Sequence, residues 1–295
     1  MWTTLGDVRG TEVVPAPVLV VGGIASVQIG AAIAIKLFPA VGAGGAVFLR
    51  LAIAAVVLAA FVRPSIRRYG RADLMLMTAF GLVLGAMNLS FYLALDRIPL
   101  GVAVTIEFLG PLGVAVAGSR RLLDALWVVL AGLGVALLGG GGGHLSGSGV
   151  AYAAVAASFW AAYILLSQQV GRAVPGLSGL AVALFVGAIL TAPYGLIDGG
   201  SALVRPDVLG KGAAVALLSS VVPYSLELLA LRRLRAATFG VLMSLEPAMA
   251  ALSGLIFLDQ HLRLREWTAV SSVVVASVGA TAAARGSARV EMIDG

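Results

Sequence analysis

Apolar stretches of about twenty residues follow one another along almost the whole chain, and this leaves few folds open. A helix needs about 20 apolar residues to cross a bilayer. Ten segments approach or reach that length: 16–37, 43–61, 73–95, 100–118, 122–138, 149–168, 177–196, 209–231, 236–258 and 266–284. In lipid every backbone polar group must be satisfied within the protein, so apolar runs of this length are helices. Turn-forming residues cluster between them, at Pro39 to Gly45, Arg63 to Arg71, Gly139 to Ser148 and Asp198 to Asp207. The short connections suit antiparallel neighbours. The expected fold is an all-α integral membrane protein with ten transmembrane helices.

Composition excludes the soluble alternatives. Hydrophobic residues make up 60% of the chain and charged ones 12%, too little polar surface to cover a soluble domain of this size. The 38 glycines lie within apolar segments, where small side chains let helices approach closely. Gly81 to Gly85 and Gly113 to Gly118 read as such contacts. Cysteine is absent, so no disulfide framework or thiol chemistry is available. Lys and Arg number 20 against 14 Asp and Glu, but they lie in short loops and form no basic, aromatic-interleaved patch. Nucleic-acid binding is therefore not expected. Arg9 precedes an apolar run as long as a full span, which reads as an uncleaved first helix rather than a signal peptide.

Positive charge sets the orientation. With the N-terminus in the cytoplasm, that side collects Arg9, Arg63, Arg67, Arg68, Arg71, Arg120, Arg121, Arg172, Arg232, Arg233, Arg235, Arg285 and Arg289, 13 in all. The far side receives 6: Lys36, Arg97, Arg205, Lys211, Arg263 and Arg265. Both termini are expected to be cytoplasmic. Within this frame the passage Ala94 to Pro111 returns 136 residues later, at Ala230 to Pro247. Ala94, Leu95, Arg97 and Pro111 are matched by Ala230, Leu231, Arg233 and Pro247. Five spans per half is an odd number, so similar halves must enter the membrane from opposite sides. Such inverted repeats underlie alternating access in secondary transporters. The glycine run Gly139 to Gly143 lies between the halves and reads as a linker, since no Lys with Ser or Thr follows to make a phosphate loop.

Charges inside a span cost about 2.5–3.5 kcal/mol on insertion scales, so each needs a reason. Arg50 and Glu107 each lie about seven residues into their spans, roughly 10 Å deep at 1.5 Å per residue. They stand at similar depth, either as a structural ion pair or as parts of a site that a zwitterion or a proton enters. Proline at position i removes the hydrogen bond to the carbonyl of residue i−4. Pro111 therefore frees the carbonyl of Glu107, Pro223 that of Ser219, and Pro247 that of Met243, one turn before Glu246. Broken helices are tolerated where the freed groups face protein or a cavity.

Polar and aromatic residues recur at helical spacing: Asn88 with Tyr92, Trp160 with Tyr163 and Ser167, and Ser220 with Tyr224 and Glu227. Packing explains the aromatic residues as readily as a cavity does. Asn88 is harder to dismiss, because its amide has four hydrogen-bonding sites to satisfy. Glu227 stands near Arg232, Arg233 and Arg235, where pairing at the membrane interface is expected. His144 and His261 fall in loops, so the pattern offers no intramembrane histidine relay, Ser-His dyad or zinc site. No cofactor is called for.

The segments Ser26 to Gly45, Met87 to Arg121 and Pro223 to His261 closely resemble the threonine/homoserine exporter family. That family belongs to the drug/metabolite transporter superfamily and carries two EamA-type domains. Phe159-Trp160-Ala161-Ala162-Tyr163 is similar to the start of a second such unit. The resemblance implies a bacterial inner-membrane protein with two inverted five-helix repeats, at 16–138 and 149–284, joined by the linker 139–148. It also implies proton-driven efflux of small amino acids. Glu107, Pro111, Tyr224, Glu227 and Glu246 match the family pattern at their positions. On this reading Arg50 holds the substrate carboxylate and Glu107 serves the ammonium group or the proton. Asn88, Tyr92, Trp160, Tyr163, Tyr224 and Glu246 then line the path, with helix breaks at Pro111, Pro223 and Pro247. The rivals are an exporter of another small molecule, such as a purine or drug, and an intramembrane enzyme. The second would need a nucleophile with its base or paired metal-binding acids, and neither is visible.

Overall fold

Gly42 breaks the first helix in two. In the computed structural model α1 runs from Ala16 to Val62, and at Gly42 its backbone leaves helical geometry, with φ 67° and ψ 175°. A positive φ of that kind suits glycine. The break falls in the Pro39–Gly45 cluster, between the expected segments 16–37 and 43–61. Beyond it the backbone amide of Gly44 donates to Asp198 Oδ2 at 3.0 Å.

The structure describes residues 14–64, 68–117, 126–127, 129–134, 145–174, 176–223, 226, 230, 233–234 and 236–291. The remaining helices are α2 (Arg71–Leu95), α3 (Leu100–Glu107), α4 (Leu109–Ala117), α5 (Gly147–Ala173) and α6 (Ser178–Gly199), then α7 (Pro206–Ala216), α8 (Ala236–Met243), α9 (Glu246–Leu258) and α10 (Leu264–Glu291). A π-helical turn, Leu217–Val221, continues α7. Among the described residues there is no strand. Among the described residues five stretches are long and apolar enough to cross a membrane: 16–62, 71–95, 147–173, 178–204 and 239–258. This is an all-helical, multi-pass membrane protein. Residues 126–127 and 129–134 of the expected segment 122–138 are helical, and the linker Gly139 to Gly143 lies outside the described residues.

Local chemistry explains the helix ends. Ser146 Oγ accepts from the Gly149 amide at 3.3 Å and starts α5. Pro206 opens α7, where its missing N–H removes no helical bond. Within the expected segments 100–118 and 236–258 the helix is interrupted, and in 209–231 it passes into the π-helical turn; each segment holds a proline, Pro111, Pro247 and Pro223.

Small residues bring the helices together. α1 packs on α6 and α7, α2 on α5 and α6, and α3 on α9. A Cβ added to Gly81 would lie 2.6 Å from Val186 Cβ, and one on Gly85 would lie 2.8 Å from Gly187 Cα. The expected Gly81–Gly85 contact is therefore between α2 and α6. Among the described residues the expected contact at Gly113 is absent. α4 packs through Gly110, against the Ala157 backbone of α5, and Gly113 lies on the open side with no neighbour within 4 Å of a would-be Cβ. Gly118 is outside the described residues. Large apolar side chains such as Val56, Phe61, Phe185, Ile197 and Ile256 face outward, as lipid contact requires.

Candidate functional site

Two of these breaks each deliver a carboxylate to the interior. Glu107 is the last residue of α3, and Glu246 is the first of α9. The interruptions fall at Phe108 and at Ser244–Leu245. Phe108 and Ser244 stand 136 residues apart, the spacing of the sequence repeat. The turns ahead of the two broken helices also match. Arg97 and Ile98 both donate their amides to the Ala94 carbonyl at 2.9 Å, and Arg233 and Leu234 donate theirs to Ala230 at 2.9 and 2.8 Å. Glu107 and Glu246 are 7% and 8% exposed, and the charges of Glu246 and Arg50 both act on Glu107. Gln28, on α1, donates its amide to Glu246 Oε1 over a long 3.4 Å.

Arg50 does not form an ion pair with Glu107. Among the described residues no N···O contact within 4.0 Å joins the two side chains. Arg50 Nη2 instead donates to the Ser219 carbonyl at 3.1 Å. That carbonyl is the one Pro223 cannot bond, and it sits in the π-helical turn. The guanidinium lies over the Tyr92 ring, 5.8 Å from its centroid, in cation–π range. Ser26 Oγ donates to the adjacent carbonyl, Leu218, at 2.8 Å. Around this bond Arg50 Nε, Tyr92 Oη and Gln28 Oε1 are buried and have no partner among the described residues. Buried polar groups without partners are few in native proteins and mark places worth explaining.

The remaining expected residues divide. Asn88 is buried, but its amide donates to the Leu84 carbonyl of its own helix at 2.9 Å. Tyr92 is fully buried against Phe38, with ring centroids 5.9 Å apart. Trp160 meets Phe108, the residue at the α3–α4 break, edge to face at 5.8 Å. Tyr163 stacks on Phe80 at 5.1 Å and so belongs to the α2–α5 packing. Tyr224 and Glu227 lie outside the described residues. Sequence reasoning passed over Gln28, Ser26 and Ser219 as site residues. The signal for the first two was present, as two polar residues within the apolar segment 16–37.

The arrangement gathers two acids, a guanidinium, an amide and a phenol from α1, α2, α3 and α9. Opposite charges held in an apolar surround are complementary to a small zwitterion. Among the described residues no group of three or more His, Cys, Asp or Glu side chains is placed to hold a metal ion.

Known proteins give this geometry a context. The model of the EamA-like transporter family matches residues 147–282. The threonine/homoserine exporter RhtA of Salmonella typhimurium (strain LT2) is 43% identical over 274 residues, covering 92% of each chain. The threonine/homoserine exporter RhtA of Escherichia coli (strain K12) is 41% identical over 292 residues, 98% of this chain and 99% of its own. One crystal structure of a protein, 19% identical, covers 90% of this chain and 97% of its own with a TM-score of 0.60, a likeness of fold alone. Identity at the level of the two exporters, sustained over nearly the full length of both partners, shows common descent, and the chain belongs to the EamA-like transporter family, in the group of the threonine/homoserine exporters.

Proposed function

We infer that the chain exports small neutral amino acids such as threonine and homoserine across the bacterial inner membrane, by alternating access coupled to protons. The observation that carries this reading is the pair of buried acids at two helix breaks, with Arg50 within electrostatic range of Glu107. A zwitterion needs a cation for its carboxylate and an anion for its ammonium group, both in a dry surround where they discriminate strongly. Arg50 takes the carboxylate. Glu107 takes the ammonium group or the proton, and a carboxyl group suits both tasks because it can pass through the cycle bare or protonated. Asn88, Tyr92, Trp160, Tyr163, Tyr224 and Glu246 line the path.

The architecture that serves this cycle is ten spans in two inverted five-helix repeats, 16–138 and 149–284, linked by 139–148, with both termini cytoplasmic. The matched turns at Ala94 and Ala230 and the matched breaks at Phe108 and Ser244 support it. Rocking one repeat against the other exposes a central site to each side in turn.

Proteoliposomes provide the test. Purified protein should accumulate labelled threonine or homoserine against its gradient when an opposing proton gradient is imposed, and the accumulation should collapse with a protonophore. Uptake that only equilibrates would remove the coupling. No uptake of either amino acid, in protein that transports another metabolite, would remove the substrate class.

A further inference from the structure

We propose that the Ser219 carbonyl is an internal stand-in for the substrate carboxylate: it holds Arg50 when no substrate is bound, and a substrate carboxylate takes Arg50 from it and so releases the π-helical turn Leu217–Val221. This rests on the reading that Arg50 is the carboxylate ligand.

The chemistry of the guanidinium edge carries the argument. Nε and Nη2 of arginine point their N–H groups side by side, a fork that fits the two oxygens of a carboxylate. The protein itself shows the fit on its surface, where Arg205 Nε and Nη2 donate to Asp207 Oδ1 and Oδ2 at 3.1 and 3.0 Å. At Arg50 the same edge is half used. Nη2 reaches the single oxygen of Ser219 at 3.1 Å, and Nε is buried with no partner among the described residues. A carbonyl cannot fill both positions, whereas a carboxylate can. The competition therefore favours a ligand that carries a carboxylate and gives nothing to one that lacks it.

Loss of Arg50 has a consequence on the other side of the bond. Pro223 has no N–H to offer Ser219 in an α-helical bond, so loss of Arg50 would take a donor from a carbonyl in an apolar interior, which is unfavourable. Two carbonyl bonds from α1 dock the π-helical turn, Arg50 on Ser219 and Ser26 on Leu218. Gly30 permits the approach, since a Cβ there would collide with Ser219 Oγ and lie 3.2 Å from Leu218 Cβ. With one of the two bonds withdrawn, the turn moves off α1. Single-turn π-helical segments recur at functional sites, in keeping with such mobility. Ser219 and Pro223 are thus positioning residues that act through Arg50.

Competition binding to the purified full chain, with threonine and with threoninamide, which lacks the carboxylate, tests both levels. Arg50→Gln should erase the preference for the acid over the amide; a surviving preference overturns the reading of Arg50 and the proposal with it. Pro223→Ala restores an N–H that can satisfy Ser219. It should tighten threonine binding about three- to tenfold, because more of the protein then has Arg50 available. Threoninamide binding should not change. If Arg50→Gln erases the preference while Pro223→Ala leaves threonine affinity unaltered, Arg50 remains the ligand and the stand-in is refuted. A second measurement leaves both residues intact. The chain has no cysteine, so Ser220→Cys, buried in the same turn, supplies a single thiol. Threonine should speed its labelling by a small maleimide about threefold or more, the fold-change expected of a turn that binding sets free. Equal rates with and without threonine overturn the proposal.

Discussion

Arg50 and Ser219 lie 169 positions apart in the chain and meet at 3.1 Å, guanidinium to backbone carbonyl. The bond joins α1 to the π-helical turn after α7, and thus one sequence half to the other. Pro223 favours it, since a proline has no N–H to give that carbonyl in an α-helical bond. A charged side chain inside a membrane protein is thereby bonded in part by backbone, with its Nε left unpartnered among the described residues. This arrangement leaves Glu107 without Arg50 as a direct ion-pair partner.

Double substitution separates recognition from pairing. Breaking a buried ion pair strands a charge at a cost of about 3–5 kcal/mol, and removing both charges then restores stability. Arg50 and Glu107 are not in contact, so Arg50→Met with Glu107→Gln should be no more stable than the two single effects combined predict. It should not regain transport. Arg50→Lys should raise KM by about tenfold or more, since a charged hydrogen bond contributes about 1.5–3 kcal/mol and an ammonium cannot reproduce the fork. Thermal melts in detergent and threonine uptake give the two readouts. A double variant that exports at near the parental rate would show that pairing was the role of both.

Glu107→Gln should abolish uphill export while leaving threonine exchange partly intact. The amide fills the same volume at the end of α3 but cannot carry a proton through the cycle. The measurement is counterflow against pH-driven accumulation in the same proteoliposomes. Unchanged pH-driven accumulation would make Glu107 structural, or a ligand for substrate alone.

Much of this site is legible in the residues themselves. Pro39 with the glycines to Gly45 marks the break in α1, because proline and glycine act on the backbone locally. Pro111 and Pro247 mark interruptions for the same reason, and the buried acids follow from the cost of charge in lipid. The partner of Arg50 is not legible as a pair, since a backbone carbonyl leaves no side-chain signature and every residue has one. Gln28 was passed over for another reason. α1 is apolar all round, so no amphipathic stripe says which side faces Glu246 and which faces lipid. Gly113 failed as a packing contact because glycine spacing defines a face of α4 without saying which neighbour covers it.

Helix contact at Gly101 should prove far less tolerant than at Gly113. A Cβ on Gly101 would lie 2.6 Å from Ala251 Cα, so Gly101→Val must push α3 away from α9. Overpacking of this kind costs about 1–3 kcal/mol, and here it also displaces the helix that ends in Glu107. Gly113→Val meets no neighbour and should stay within about 0.5 kcal/mol of the parent. Melting temperatures of the purified variants, with transport measured alongside, make the comparison. Equal losses at both positions would mean that the close approach of α3 and α9 is not what holds them.

Topology is open to a direct test, because the chain contains no cysteine and any introduced thiol stands alone. With 13 basic residues on one side against 6 on the other, Arg67→Cys, Arg121→Cys and Arg233→Cys should be shielded from an impermeant maleimide in intact cells and react after permeabilisation. Gly142→Cys and Arg205→Cys should react without it. Arg205 is paired with Asp207 at 3.0 Å, but both side chains are about half exposed. Surface pairs of this type contribute about 0–1 kcal/mol, so that variant should insert normally. The decisive pair is Arg67 with Arg233. One belongs to the first sequence half and the other to the second, and five spans per half in opposite senses, as proposed, would put both in the cytoplasm. Finding them on opposite faces would remove both the ten-span count and the inverted repeat. The matched turns at Ala94 and Ala230 would then be a local resemblance without a transport cycle built on it.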